Sequence, residues 1–206
     1  MGYGIYIYYA STDTKWSTNT SRTVQATVYS QANYKSACSD YDGYGETTRI
    51  TGSSSYNSTT YPAFFIARNF GSTIALPSQT SGWFLPSMGQ CFLAKVNLFG
   101  GYSDTNKLYQ HVETNYRNGW RDGSNGVASG FCDNTYLVKQ NNHWAYLKAV
   151  FPDLEVSPEV YTWTSTESDA QYALETEGYD SDGPYICVQR FEPKTSGRPV
   201  KPALAF

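Results

Sequence analysis

Apolar and polar positions alternate differently at the two ends of the chain and in its middle. Residues 4–10 (GIYIYYA) form an apolar, aromatic and partly β-branched run that predicts a first strand. Residues 11–60 are rich in Ser, Thr, Asn and Gly, which predicts loops and short strands. Within them, Ser39-Asp40-Tyr41-Asp42-Gly43-Tyr44-Gly45 is a string of turn formers. A first helix is predicted after Thr60 or Tyr61, with Pro62 in its first turn, where a missing N–H costs nothing, and a stop at Gly71. A second follows Pro86. Ser87-Met88-Gly89-Gln90 fits the S-x-x-Q capping box, and Met88, Cys91, Phe92, Val96 and Phe99 then fall on one helical face. Further helices are expected over 104–117 and 142–151. Strands return near the C-terminus at 161–165, 172–176, 185–191 and 200–206. Strands at both ends with helices between them predict an α+β fold, and pairing of the first and last strands would bring the termini together.

Length and composition sharpen this picture. The 206 residues suit one domain. Charged residues are 16% and aromatics 17%, with 19 tyrosines. Tyr beside Ser, Gly and Asn serves either as half-buried sheet filler or as a rigid contact surface with adaptable hydrogen bonding around it. A net charge of −3 and no basic stripe argue against a nucleic-acid partner. No apolar run approaches the length of a membrane span, and no leader is visible at Met1-Gly2-Tyr3.

Candidate chemistry is sparse. No G-x-S-x-G elbow and no phosphate-cradling G-x-x-x-x-G-K-[ST] occurs, so no cofactor is expected. His111 and His143 are the only histidines. Cys38, Cys91, Cys132 and Cys187 form no C-x-x-C pair, so no metal is expected; two disulfides or four thiols both fit. A Cys132–His143 pair would be the seed of a hydrolase, but a third group is missing. Two acidic clusters, Asp40/Asp42/Glu46 and Glu175/Glu177/Asp180/Asp182, lack the spacing of an EF-hand loop and read otherwise as a turn hub and a solvated loop. The expectation is a protein that offers surfaces and is not an enzyme.

Several strings, taken in order, resemble bacterial surface proteins with C-type-lectin-like domains, the group that includes the Fibrobacter-type major paralogous domain. They are Ser39–Gly45, Tyr61-Pro62-Ala63-Phe64, Gly82-Trp83-Phe84-Leu85-Pro86-Ser87-Met88-Gly89-Gln90, Trp163-Thr164-Ser165-Thr166-Glu167 and Val200-Lys201-Pro202-Ala203-Leu204-Ala205-Phe206. The last two are similar to that group's W-S-S-T-E and V-R-P-V-L-A-F. Thr164, Lys201 and Cys91 depart from its usual residues.

The resemblance implies a single domain over 1–206 with an insertion at about 127–158, mixed or antiparallel sheets, two main flanking helices and paired termini. It implies structural roles for Trp83, Pro86, Trp163 and Glu167. Similar domains serve as adhesins, fimbrial tips and variable proteins of diversity-generating retroelements, whose ligand face lies between the W-S-S-T-E-like motif and the last strand. Carried over, that face spans 168–190, with Ser168, Asp169, Gln171, Tyr172, Glu175, Glu177, Tyr179, Asp180, Ser181 and Tyr185 as ligand contacts. The calcium tripeptides of sugar-binding relatives are absent, and Glu192-Pro193-Lys194 is a partial echo. The implied function is recognition of a glycan or protein receptor on another cell or particle, from a cell-surface, secreted or phage-borne location. A structural or tip subunit of a pilus or phage fibre is the alternative, and a cryptic hydrolase the second.

Overall fold

The computed structural model describes residues 3–4, 11–29, 34–37, 39–73, 80–91, 161–179 and 185–205. They fall mainly in one compact unit, Met1–Phe92 with Val160–Thr176 and Gln189–Phe206. A second unit, Leu93–Glu159 with Glu177–Val188, lies for the most part outside them. The helices expected at 104–117 and 142–151 and the insertion at 127–158 lie outside the described residues, as do His111, His143, Cys38 and Cys132.

The fold is α+β. Strands β1 (Tyr3–Gly4) and β2 (Ser11–Thr14) precede helices α1 (Tyr34–Ala37), α2 (Gly43–Thr51) and α3 (Pro62–Asn69). Strands β3 (Thr162–Glu167), β4 (Tyr172–Tyr179), β5 (Tyr185–Pro193), β6 (Arg198–Val200) and β7 (Leu204–Ala205) follow. β3, β4 and β5 form one sheet in that order, while β2 pairs with β6 and β1 with β7. The β1–β7 pair is antiparallel, with Tyr3 opposite Ala205 and Gly4 opposite Leu204, so the two ends of the chain share a sheet. Residues 81–84 run along the other side of β7: Phe84 and Ala203 exchange backbone hydrogen bonds, and Ser81 N donates to Ala205 O.

A main core joins α2, α3, β3, β4 and β6 in the first unit, and Phe84, Ala203 and Ala205 form a second cluster at β7. Trp16, Ile50, Tyr61, Phe64, Leu85, Trp163 and Val200 meet in the main core, with Ala63, Ala67 and Ala173 filling the smaller gaps. α3 presents Ala63, Phe64 and Ala67 inward, the i, i+1, i+4 stripe of an amphipathic helix. Tyr61 is its N-cap and Pro62 its first residue, as expected. No side chain caps it; instead Lys15 O accepts from Ala63 N at 3.1 Å, which ties the helix to the end of β2. Beyond α3 the chain tightens into a 3-10 turn, Phe70–Thr73, which carries it past Gly71.

The largest difference from the sequence expectation is α2, where turn formers predicted a loop. Asp42 acts as its N-cap and accepts from Gly45 N at 3.1 Å. Two glycines in the first turn lower helix propensity and hide this helix from local reasoning. Tertiary contact explains Gly43: a Cβ there would strike Gln90 Oε1 and lie 2.5 Å from Ser87 N and 2.8 Å from Leu85 O. Gly43→Ala is therefore expected to destabilise the protein by about 1–3 kcal/mol through overpacking, although alanine is the better helix former. Thermal unfolding of the variant checks this sign, and a stabilised variant would refute it. Gly82 has φ +76°, the left-handed region, where a side chain would be strained.

Candidate functional site

The Trp163–Glu167 motif is a distorted strand with every residue buried. Thr162 faces Thr176 and Trp163 faces Glu175, but the next pairing is Glu167 with Ala173, so three residues of β3 oppose one of β4. A bulge leaves backbone groups without ladder partners, and side-chain and backbone groups from distant segments take them up. Thr164 Oγ1 donates to Leu174 O at 2.8 Å. Trp16 Nε1 donates to Thr164 O at 2.8 Å, and Gln25 Nε2 to Ser165 O at 3.1 Å. Ser165 N donates to Pro86 O at 2.8 Å, and Tyr29 N to Glu167 O at 2.9 Å. Trp163 Nε1 in turn donates to Thr14 O at 2.6 Å, so the two tryptophans tie β2 and β3 together reciprocally.

The motifs of the middle and the tail converge here. Ser165 Oγ donates to Glu46 of α2. Thr166 Oγ1 donates to Asp40 Oδ2 at 2.8 Å and accepts from Met88 N at 2.9 Å. The capping box at Ser87 is half formed: Ser87 N donates to Gln90 Oε1 at 3.0 Å, while the hydroxyl donates to Asp40 O at 2.5 Å. The Thr47 hydroxyl accepts from Leu85 N at 3.1 Å and lies 3.3 Å from Leu85 O. Trp83 is buried edge-on to Phe70, with ring centroids 4.8 Å apart. Asp40 and Glu46, an expected turn hub, are thus internal struts. Among the described residues no group of three or more His, Cys, Asp or Glu is arranged to hold a metal ion.

Glu167 carries the arrangement outward. Its Oε2 accepts from Val24 N and Gln25 N, both at 2.7 Å, and its Oε1 is ion-paired with Lys194 Nζ. Both side chains are 0% exposed. Burial pulls the Lys194 ammonium below its ordinary pKa, and Glu167 opposes that pull. The ammonium also sits 4.9 Å from the Trp16 ring centroid. Lys194 reaches the β3–β4 turn twice, donating from Nζ to Ala170 O and from its backbone N to Gln171 O, each at 2.9 Å.

The turn itself is an Asx turn, with Asp169 Oδ1 accepting from Gln171 N at 2.7 Å and Tyr172 N at 2.8 Å. Asp169 and Gln171 are exposed and Tyr172 is half-buried. Ser168 and Glu175, expected as ligand contacts, are buried. Glu175 Oε2 accepts from Arg198 Nε at 2.5 Å, and Arg198 also reaches Glu192 Oε1 at 2.7 Å. Glu175 thus braces β4 against β6 instead of standing on a ligand face, because no solvated face exists at that register. Glu177 and Tyr179 lie on β4 and Tyr185 on β5. Asp180 and Ser181 lie outside the described residues. Large hydrophobic side chains exposed elsewhere are Val28, Tyr41, Tyr44 and Phe65.

Sequence reasoning did not pick out Trp16, Lys194 or Arg198. Lys194 was visible only as part of Glu192-Pro193-Lys194, read against calcium tripeptides. A lysine so close to the closing strands, in a chain with few charges, was the one available signal.

No family model matches the chain, and no curated protein matches it. Among solved structures it is similar to a fimbrial protein from Bacteroides ovatus, with a TM-score of 0.52 and 17% sequence identity. The likeness covers 96% of this chain and 35% of that protein, so this chain spans about a third of the fimbrial protein's length. At that identity the likeness is one of fold. Among the described residues no helix is long and apolar enough to cross a membrane.

Proposed function

We propose that this chain is a non-enzymatic subunit of a bacterial surface fibre, built on a C-type-lectin-like fold and assembling with other fibre subunits. The observation that carries this is the likeness of fold, over 96% of the chain, to a fimbrial protein. Termini that share a sheet and a buried tryptophan-to-glutamate motif braced by helices suit the C-type-lectin-like reading. The test is localisation. Antibody against the chain should detect it in the fibre fraction sheared from producing cells and along fibres in immunogold micrographs. Recovery only from the cytosol would refute the proposal.

A second reading is favoured by one observation: the exposed turn Asp169–Gln171 is braced from beneath by Lys194, which pre-organises it for contact. On this reading the face from 168 to 190 recognises a glycan or a protein on another cell or particle, with Asp169, Gln171 and Tyr172 at its described edge. An array of glycans and host proteins probed with the purified chain supplies the ligand. Tyr172→Ala should then weaken binding about tenfold or more, the loss typical of an aromatic contact at a hot spot, with an unchanged melting temperature. Equal binding by wild type and variant would argue against this face.

A further inference from the structure

Asp40 and Glu46 are carboxylic acids in a place that disfavours their charge. Glu46 is 4% and Asp40 7% exposed. Their partners are neutral donors: Ser165 Oγ on Glu46 Oε2, and Thr166 Oγ1 and Asp42 N on Asp40, at 2.8 and 3.2 Å. Each acid also bears on the other's charge, that of Asp40 raising Glu46, and two acids set together away from water favour a proton on one of them.

The surroundings add negative charge more than they remove it. Asp42, at the N-terminus of α2, adds a negative charge near the pair, while the Tyr29 phenol, from the segment before α1, stays neutral beside them. Arg49, in the last turn of α2, is turned to Gln25 Oε1 at 2.8 Å. Lys194, beyond Glu167 on the β3 side, is committed to Glu167. Neither Asp40 nor Glu46 has an ion-pair partner among the described residues. Burial, and then the charge of Asp40, raise Glu46 well above the ordinary carboxylate range. Burial also raises Asp40, against its hydrogen bonds from Thr166 and Asp42. Burial first, and then the charges of Asp40, Glu46 and Asp42, push the Tyr29 phenol up to about 12.

We infer that Asp40 and Glu46 share one proton at neutral pH, with Glu46 as the donor, and that this proton latches α2 to the β3 bulge. Ser165 and Thr166 are held by the two acids, and Glu167, the next residue, anchors Lys194 and the hairpin. Losing the proton places two carboxylates against each other in the interior and loosens the base of the β3–β4 hairpin. The latch does not depend on the proposed surface role.

The sign of the pH dependence follows from linkage. An acid whose folded pKa is raised contributes stability that is full below its ordinary value and is lost as pH rises through the folded value. The melting temperature of the wild-type chain should therefore fall as pH climbs from mildly acidic to mildly alkaline. Glu46→Gln keeps an acceptor for Ser165 and a permanent donor for Asp40. It should lose most of that fall and melt higher than wild type at alkaline pH. Infrared spectroscopy of the wild type should show a protonated-carboxyl C=O band at neutral pH that disappears reversibly at alkaline pH. Parallel pH profiles for the two proteins would overturn the inference. If the variant does not fold, absence of the infrared band in the wild type would overturn it equally.

Discussion

Truncating Glu167 to alanine is expected to cost about 3–5 kcal/mol, the penalty for breaking a buried ion pair from one side. Val24 N and Gln25 N lose the carboxylate they donate to, and Lys194 Nζ loses its counterion and keeps Ala170 O. The two backbone amides anchor the segment ahead of α1, and the ammonium holds the hairpin turn, so one carboxylate ties three parts of the chain. Domains are stable by only about 5–15 kcal/mol, so the variant should be strongly depleted in folded form. Lys194→Met should cost less, because the Glu167 carboxylate keeps its two amide donors. Glu167→Gln combined with Lys194→Met buries no unpaired charge and should fall short of the sum of the single losses by about 1–3 kcal/mol. Urea unfolding of wild type, Glu167→Gln, Lys194→Met and the double variant gives this coupling directly. A Glu167→Ala variant within about 1 kcal/mol of wild type, well short of the penalty for stranding a buried charge, would show that the carboxylate is not the anchor described.

Trp163→Ala should be comparably severe, at about 3–5 kcal/mol for a buried tryptophan. Trp163 is 0% exposed and sits in the core with Trp16, Phe64, Leu85 and Val200. Its loss opens a cavity where α2, α3 and three strands meet, and it leaves Thr14 O without the indole donor. Trp163→Phe fills most of the volume but still lacks the N–H, so it should cost about 0.5–1.5 kcal/mol, the net worth of one lost hydrogen bond. The ordering of alanine below phenylalanine below wild type in melting temperature checks the account. Equal losses from the two substitutions would place the energy in the hydrogen bond and not in the packing.

These two residues also mark what was readable from the chain. Trp163 and Glu167 stood out as a motif, and the strand containing them appears at Thr162–Glu167. The reason for the Thr-Ser-Thr between them was not readable. Their hydroxyls serve Leu174 O, Glu46 and Asp40, partners 10, 119 and 126 positions away in sequence. Glu175 failed as a surface expectation for a similar reason. Strand alternation says which residues share a face, but only the neighbouring β6 and its Arg198 decide that the face is covered.

What the sequence determined by itself was local. Pro62 at the start of α3, the Ser87–Gln90 cap, the strands near the C-terminus and the α+β class follow from backbone preference and hydrophobic pattern within short windows. Tertiary structure alone decided Gly43 in the first turn of α2, which makes sense only against Gln90, Ser87 and Leu85. It alone gave Lys194 its partner and set Asp40 against Glu46. Those outcomes turn on desolvation and close approach between segments far apart in the chain, and neither quantity exists until the chain has folded.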